Sequence, residues 1–356
     1  MEPRSSPLLD AHRGLGAKLT EFGGWDMPLQ YTGIVAEHNV VRASVGIFDV
    51  SHLGKLRVSG PGAGDALQQA LTADAMSLRP GRATYALALT ESGGCIDDVF
   101  MYRIDESEWL VVPNAANVEA VAAAIGDCGG RPQDEWDRWG ILAIQGPGSF
   151  DLFERAWPGT GASELAVRAW QAMDVFGSEV MVARTGYTGE RGFELYVPAG
   201  AAAAAFERLL ELGGTPVGLG ARDTLRLEMG YALYGHEISR DINPLEAGLG
   251  WALAWDTPFR GRDALRKIAD EGPARRPLGV RCMSRGVPRQ GYAVLCGGEA
   301  IARVTSGNYS PTLKTGIALA LAEANLAPSP GATVSIDARG RGIEGILERP
   351  PFVRKP

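Results

Sequence analysis

Ser92-Gly93-Gly94-Cys95-Ile96-Asp97-Asp98-Val99-Phe100 places two adjacent carboxylates directly behind a glycine turn and ahead of an apolar run. Turn chemistry of this kind reverses the chain. Side chains of the strand that follows alternate between faces, so Asp97 and Asp98 point in opposite directions. One of the two is expected to face inward. An inward carboxylate needs a partner, and a ligand qualifies.

Around this stretch the chain reads as alternating strands and helices. Strands near 84–90 and 98–103 flank the turn, and Glu108–Pro113 is a further short strand. Upstream, the apolar spacing predicts a helix over 32–46. A strand follows at Lys55–Gly60, then a helix over Pro61–Leu71, entered through proline near its first turn. Downstream, Asn114 stands where a helix N-cap is wanted, ahead of the Ala-rich run 115–126. The same grammar then returns. Val58-Ser59-Gly60-Pro61-Gly62-Ala63 matches Ile144-Gln145-Gly146-Pro147-Gly148-Ser149, strand end into helix start in both cases. Strands near 177–183 and 193–198 precede an Ala-rich helix over 199–213. The turn at 92–98 also parallels Arg184-Thr185-Gly186-Tyr187-Thr188-Gly189-Glu190-Arg191-Gly192-Phe193-Glu194. These matches predict a degenerate β-α-β-β-α duplication with halves 54–130 and 138–214, inside an N-terminal α+β region 1–272. If the halves face each other, Asp98 and Glu194 approach one cleft.

Pro273-Ala274-Arg275-Arg276-Pro277 reads as a boundary. Short strand patterns at 278–282, 292–296, 301–306, 333–337 and 343–347 predict a small antiparallel barrel or sandwich over 278–356. Charge changes there too. Residues 272–356 hold 12 Lys/Arg against 5 Asp/Glu, a net of +7; the whole chain is -7, which leaves -14 on residues 1–271. A basic module of this kind has either a solvated face or a dock for an acidic partner or polyanionic tail. The acidic body argues against nucleic-acid binding.

With 356 residues and 45% hydrophobic content, a folded soluble protein of two or three domains is expected. No apolar run approaches the roughly 20 residues of a membrane span, and Met1-Glu2-Pro3-Arg4-Ser5-Ser6 lacks a signal-peptide apolar core. A cytoplasmic location is the expectation. Cys95, Cys128, Cys282 and Cys296 form no CxxC pattern, so free thiols are expected. His12, His38, His52 and His236 stand at no metal-ligand spacing, which argues against a metal site. His52 reads as structural. Cys95 is discounted as a nucleophile, because the neighbouring carboxylates raise a thiol pKa.

Gly218-Leu219-Gly220-Ala221-Arg222-Asp223 opens a helix over 219–231 like a dinucleotide fingerprint, with Asp where the third Gly belongs. Its backbone N–H groups suit an anion. Arg222 is either paired structurally with Asp223 or a clamp for a ligand carboxylate. Tyr85 and Tyr187, beside the two acidic turns, are core aromatics or ligand contacts.

The ordered set of motifs resembles the aminomethyltransferase family, the T-proteins of the glycine cleavage system. It comprises Gly24-Trp25-Asp26-Met27-Pro28, Ile47-Phe48-Asp49-Val50-Ser51-His52-Leu53-Gly54, the 92–98 turn, Asn114-Ala115-Ala116-Asn117 and the 144–147 and 184–194 stretches. Gly218–Glu228, Tyr234-Gly235, Asn243-Pro244, Thr305–Leu313 and Pro350–Arg354 complete it. The resemblance implies a three-domain cloverleaf with folate in the central hole. Two of its domains are α+β with a ferredoxin-like βαββα duplication, and the third is a C-terminal small β-barrel or jelly-roll-like domain.

The implied reaction takes the aminomethyl group from the lipoyl arm of H-protein and yields ammonia, 5,10-methylenetetrahydrofolate and dihydrolipoyl H-protein. Tetrahydrofolate is the implied acceptor; no metal, nucleic acid or membrane is implied. By motif match Asp98 is the catalytic aspartate, and Glu194, Arg222, Tyr85, Asn114, Tyr187 and Leu53 are folate-binding positions. Many members carry Met where Leu53 stands, and some carry a tyrosine near the C-terminal end, where this chain reads Val353-Arg354-Lys355-Pro356. A folate-dependent demethylase of the same fold and a non-enzymatic folate-binding protein are the alternatives. The second lacks its Lys-Gly-Cys-Tyr-x-Gly-Gln-Glu signature here.

Overall fold

The structure, a computed structural model, describes residues 3–354. The expectations for the extreme ends fall partly on Met1, Glu2, Lys355 and Pro356, outside the described residues. The chain forms two compact units, Met1–Ala86 with Asp98–Arg222, and Leu87–Asp97 with Asp223–Pro356. Among the described residues no helix is long and apolar enough to cross a membrane.

The first elements are β1 (Arg4–Ser5), α1 (Leu9–Gly14), β2 (Lys18–Phe22), β3 (Trp25–Gln30), α2 (Ile34–Ala43) and β4 (Gly46–Asp49). Strands β1, β3 and β2 make a small sheet in that order. Two matching runs follow. The first is β5 (Leu56–Ser59), α3 (Ala63–Ala70), β6 (Arg82–Leu89), β7 (Cys95–Arg103), β8 (Glu108–Val112), α4 (Val118–Asp127) and β9 (Pro132–Asp134). The second is β10 (Trp139–Gln145), α5 (Ser149–Ala156), β11 (Trp170–Val175), β12 (Ser178–Ala183), β13 (Gly192–Pro198), α6 (Ala199–Glu211) and β14 (Thr215–Val217).

Their sheets run β6-β7-β8-β5-β9 and β11-β12-β13-β10-β4-β14. Each repeat therefore has three strands between its helices, one more than the β-α-β-β-α pattern; the sequence shows all three in the first repeat, and the one it does not show in the second is β11. The early strand β4 lies between β10 and β14, pairing antiparallel with the first and parallel with the second. The second repeat buries its apolar face in a core that includes Ile144, Leu152, Phe153, Phe193, Leu195 and Phe206.

The repeat corrects one expected equivalence. By position, the β6–β7 turn corresponds to the β11–β12 turn at Phe176-Gly177, whereas 184–191 joins β12 to β13. The match of 92–98 with 184–194 is thus offset by one hairpin. Asp98 on β7 and Glu194 on β13 are not equivalent residues. The match at 58–63 and 144–149 holds, at β5–α3 and β10–α5.

The second unit contains α8 (Arg262–Glu271) and a closed barrel of β15 (Arg275–Cys282), β16 (Ala293–Cys296), β17 (Glu299–Ser310), β18 (Thr315–Glu323), β19 (Thr333–Asp337) and β20 (Gly342–Leu347). Strand order is β15-β18-β17-β16-β19-β20, around a core with Val280, Val294, Val304, Ile336 and Ile343. The registers put the β15–β16 loop and the β17–β18 and β19–β20 turns at one end of the barrel. That end carries the exposed Arg285, Arg289, Lys314, Arg339 and Arg341, which localises the basic excess.

The opening turn belongs to this unit. Gly93 adopts φ +90°, where only glycine is free of strain. Gly94 has a different reason: a Cβ there would lie 1.9 Å from the Arg240 carbonyl oxygen. Backbone cannot swing aside as a side chain does. Gly94→Ala is expected to lower stability by about 1–3 kcal/mol. Gly126→Ala is the opposite case, because Gly126 is an exposed residue of α4 with nothing near its Cβ direction. That change should stabilise by about 0.5–1 kcal/mol. Chemical denaturation of both variants checks the pair, and equal effects would contradict it.

Candidate functional site

Alternation along β7 sends Asp97 and Asp98 to opposite sides, as the sequence predicts. Asp97 is fully buried, and with burial its charge raises the Tyr234 hydroxyl pKa. Asp98 is half-buried on the other face. Its carboxylate accepts from the Tyr85 hydroxyl at 3.1 Å and from Asn114 Nδ2 at 2.9 Å. Burial pushes the Asp98 pKa above the ordinary carboxylate value, and these two donors work against that rise. Asn114 therefore holds Asp98; its side chain does not cap the helix that follows.

Phe100 and Tyr102 share the face of β7 that carries Asp98. Tyr85 meets Phe100 edge-on with centroids 6.2 Å apart, Phe100 lies 6.1 Å from Tyr102, and Tyr102 lies 5.6 Å from Tyr196 of β13. Glu194, two residues before Tyr196, points the same way and accepts from Thr185 Oγ1 at 2.5 Å. An aromatic row thus joins the Asp98 group to the Glu194 group, and repeat symmetry plays no part.

The loop between β12 and β13 is fixed from beneath. Buried Gln145 donates to the Thr185 carbonyl at 3.2 Å and accepts from Thr188 Oγ1 at 2.8 Å. Arg42 donates to the Thr188 carbonyl at 2.7 Å and to Glu190 at 2.9 Å. This leaves Tyr187 under the Arg222 guanidinium, 4.7 Å from centroid to Cζ.

Arg222 is carried by α7 (Leu219–Glu228). The expected anion-binding role of this helix start is filled from within. Glu37 accepts the Gly218 N–H at 2.8 Å on one oxygen and the N–H groups of Tyr31, Thr32 and Gly33 at 2.6–2.9 Å on the other. Gly218 is glycine because a Cβ would lie 2.3 Å from the Leu29 carbonyl oxygen. Of the two readings of Arg222, the pair with Asp223 is not formed: Asp223 accepts from Arg226 Nε at 2.9 Å and from Asn308 at 3.0 Å. Arg222 Nη1 is buried with no hydrogen-bond partner. Burial lowers the Arg222 pKa, and Glu194 and Tyr187 oppose that.

A second unpartnered polar atom lies in the same region. His52, next to half-buried Leu53, is 3% exposed, and its Nδ1 has no partner. Burial, with Arg222 and Lys55 adding positive charge, lowers its pKa to about 3 despite Asp49. The sequence reading took this histidine as structural. Its immediate contacts fit that: the ring meets Phe22 at 5.3 Å, and its carbonyl accepts from Trp136 Nε1 at 3.1 Å. The orphaned Nδ1 is the part that reading missed. Among the described residues no three His, Cys, Asp or Glu side chains group to hold a metal ion.

The arrangement offers an oriented carboxylate, a second carboxylate near an unpaired guanidinium N–H, and aromatic faces between them. Such a set suits a flat heteroaromatic ligand with N–H donors and an acceptor or anionic group.

The sequence matches two family models: the GCVT N-terminal domain over residues 8–257, and the glycine cleavage T-protein C-terminal barrel domain over 275–354. It is 47% identical over 355 residues to an aminomethyltransferase of Mycobacterium bovis, covering 98% of this chain and 96% of that one. It is 40% identical over 358 residues to an aminomethyltransferase of Halothermothrix orenii, covering 98% and 100%. The fold superposes on the crystal structure of glycine cleavage system aminomethyltransferase T from Bartonella henselae with a TM-score of 0.92, 32% identity and 98% of each chain covered.

A histidine held neutral by burial makes the fold acid-sensitive. Its folded pKa of about 3 lies below the ordinary 6.5, so the unfolded chain binds the proton first as pH falls. The stability it contributes is complete above pH 6.5 and is lost down to about pH 3. His52→Gln should remove about 1.4 kcal/mol per pH unit from the slope of unfolding free energy between pH 6 and 4. Denaturant titrations at stepped pH measure this, and an unchanged slope contradicts it.

Proposed function

This chain belongs to the glycine cleavage T-protein family and is an aminomethyltransferase, and from that premise we propose its acceptor, its donor and the residues that act. The acceptor is tetrahydrofolate and the donor is the aminomethylated lipoyl arm of H-protein, in a cytoplasmic setting. The products are ammonia, 5,10-methylenetetrahydrofolate and dihydrolipoyl H-protein. Asp98 acts on the reacting amines; Glu194, Arg222, Tyr187, Tyr85, Asn114 and Leu53 bind the folate.

The observation that carries this reading is Asp98 itself, a half-buried carboxylate held by Tyr85 and Asn114 with part of its surface open. Two donors fix its plane, so its remaining lone pairs have a set direction. An oriented carboxylate accepts an amine N–H and stabilises positive charge that develops as ammonia leaves. Burial raises its pKa, so the neutral form is disfavoured less than in water.

The residues fit folate. A pterin presents neighbouring N–H donors that one carboxylate accepts together, and Glu194 supplies such a group. The buried Arg222 Nη1 lacks an acceptor, and folate carries both carbonyl and carboxylate oxygens. When bound, tetrahydrofolate supplies the nitrogens that receive the one-carbon unit. The protein supplies position, since two carrier arms must meet at one carboxylate.

Asp98→Asn keeps the shape and the Tyr85 contact but removes the charge. It is expected to bind tetrahydrofolate near the wild-type level while ammonia release from aminomethylated H-protein falls about 10²–10⁴-fold. Binding by titration calorimetry and turnover by ammonia assay separate the two. An Asn variant with wild-type turnover would remove Asp98 from this role.

A further inference from the structure

Glu194 is the end of a row of hydroxyls. Thr185 Oγ1 lies 2.5 Å from Glu194 Oε2, Tyr102 Oη lies 3.2 Å from Thr185 Oγ1, and the Tyr196 hydroxyl donates to Tyr102 Oη at 3.1 Å. Each hydroxyl has one hydrogen to give, and a carboxylate only accepts. Thr185 therefore donates to Glu194, Tyr102 donates to Thr185, and Tyr196 donates to Tyr102. In this order every hydroxyl has an acceptor and the row ends on the carboxylate.

Burial is the largest cause that raises both phenol pKa values, with the Glu194 charge adding to it, so both tyrosines remain donors at neutral pH. Tyr102 has no accessible surface and Tyr196 has 3%, while Glu194 and Thr185 keep 8% and 9%. The solvent-reachable part of the row is its carboxylate half. In so dry a setting each bond polarises the next.

We propose that Tyr196, Tyr102 and Thr185 are positioning residues that hold Glu194 as an acceptor-only fork, selecting a ring with two neighbouring N–H donors. The inference rests on the folate reading of Glu194 given above. With Oε2 committed to Thr185, the carboxylate cannot rotate away from its ligand. A ring presenting a carbonyl in place of an N–H meets lone pair against lone pair, because nothing in the row can turn round to donate. Removing the Thr185 hydroxyl frees the carboxylate and leaves a buried lone pair without a donor.

Thr185→Val removes the donor at nearly constant volume, Thr185→Ser restores it, and Tyr102→Phe interrupts the row one step further back. In the full-length enzyme, Thr185→Val is expected to weaken tetrahydrofolate binding about tenfold. KM should rise in step, with kcat changed by less than about threefold. Serine should return both to the wild-type range, and Tyr102→Phe should show a smaller loss of the same kind. In combination with Glu194→Gln, the Thr185→Val effect should shrink, since both act through one group.

Wild-type affinity in Thr185→Val, or strict additivity with Glu194→Gln, overturns the proposal. Wild-type affinity in Glu194→Gln alone overturns the folate reading of Glu194 and the relay with it, so the two failures differ in which single variant is silent. Thermal unfolding accompanies each measurement. If Tyr102→Phe does not fold, the Val and Ser variants at 185 decide the matter.

Discussion

Side chains alternate along β7, and that single geometric fact divides the work of adjacent carboxylates. Asp97 goes into full burial, where the glycine turn before it packs so closely that Gly94 has no room for a Cβ. Asp98 goes to the half-open face, in line with Phe100 and Tyr102. Four residues of extended chain set the Cα atoms of Asp98 and Tyr102 roughly 13 Å apart. One rigid strand therefore carries the proposed acting acid at one point and a hydroxyl behind Glu194 at another. A slip of one residue would exchange the two faces and bury the wrong carboxylate.

Around that strand, several charged groups find their partners within the protein. Glu37 accepts the Gly218 N–H ahead of α7 and three backbone N–H groups ahead of α2. Arg42 and Gln145 tie down the loop that presents Tyr187. Asp223 is paired with Arg226 and Asn308. Against that background the unpartnered Arg222 Nη1 and His52 Nδ1 stand out. A buried polar atom left without a partner costs free energy, and a ligand that supplies the partner recovers it on binding.

The sequence made the repeat visible where turn chemistry was explicit. Gly-Pro-Gly at 60–62 shares its shape with 146–148, and both mark a strand end entering a helix. Among the strands that sequence patterning does not announce, β11 and β18 each adjoin a turn that hides itself. Phe176 and Lys314 adopt the left-handed conformation normally marked by Gly or Asn. Strand β18 also reads Gly-Ile-Ala-Leu-Ala-Leu-Ala, a composition that favours helix. Pairing along both edges in the barrel overrides that preference.

Asp98, Glu194 and Arg222 were legible as chemistry because each is a charged residue two to four positions after a glycine, near the start of an element. What they do together was not. The Arg222–Asp223 pair and the anion site at 218–220 were sound local readings that lost to other partners, Arg226 one helical turn on with distant Asn308 for the first, and Glu37 for the second. The hydroxyls behind Glu194 come from residues 102, 185 and 196, two strands and a loop, with no spacing to announce them. Local sequence specifies a functional group, whereas the donors that orient it come from strands distant in the chain. The precision of the site is accordingly a tertiary property, set by how the two repeats present β7 and β13 to one another.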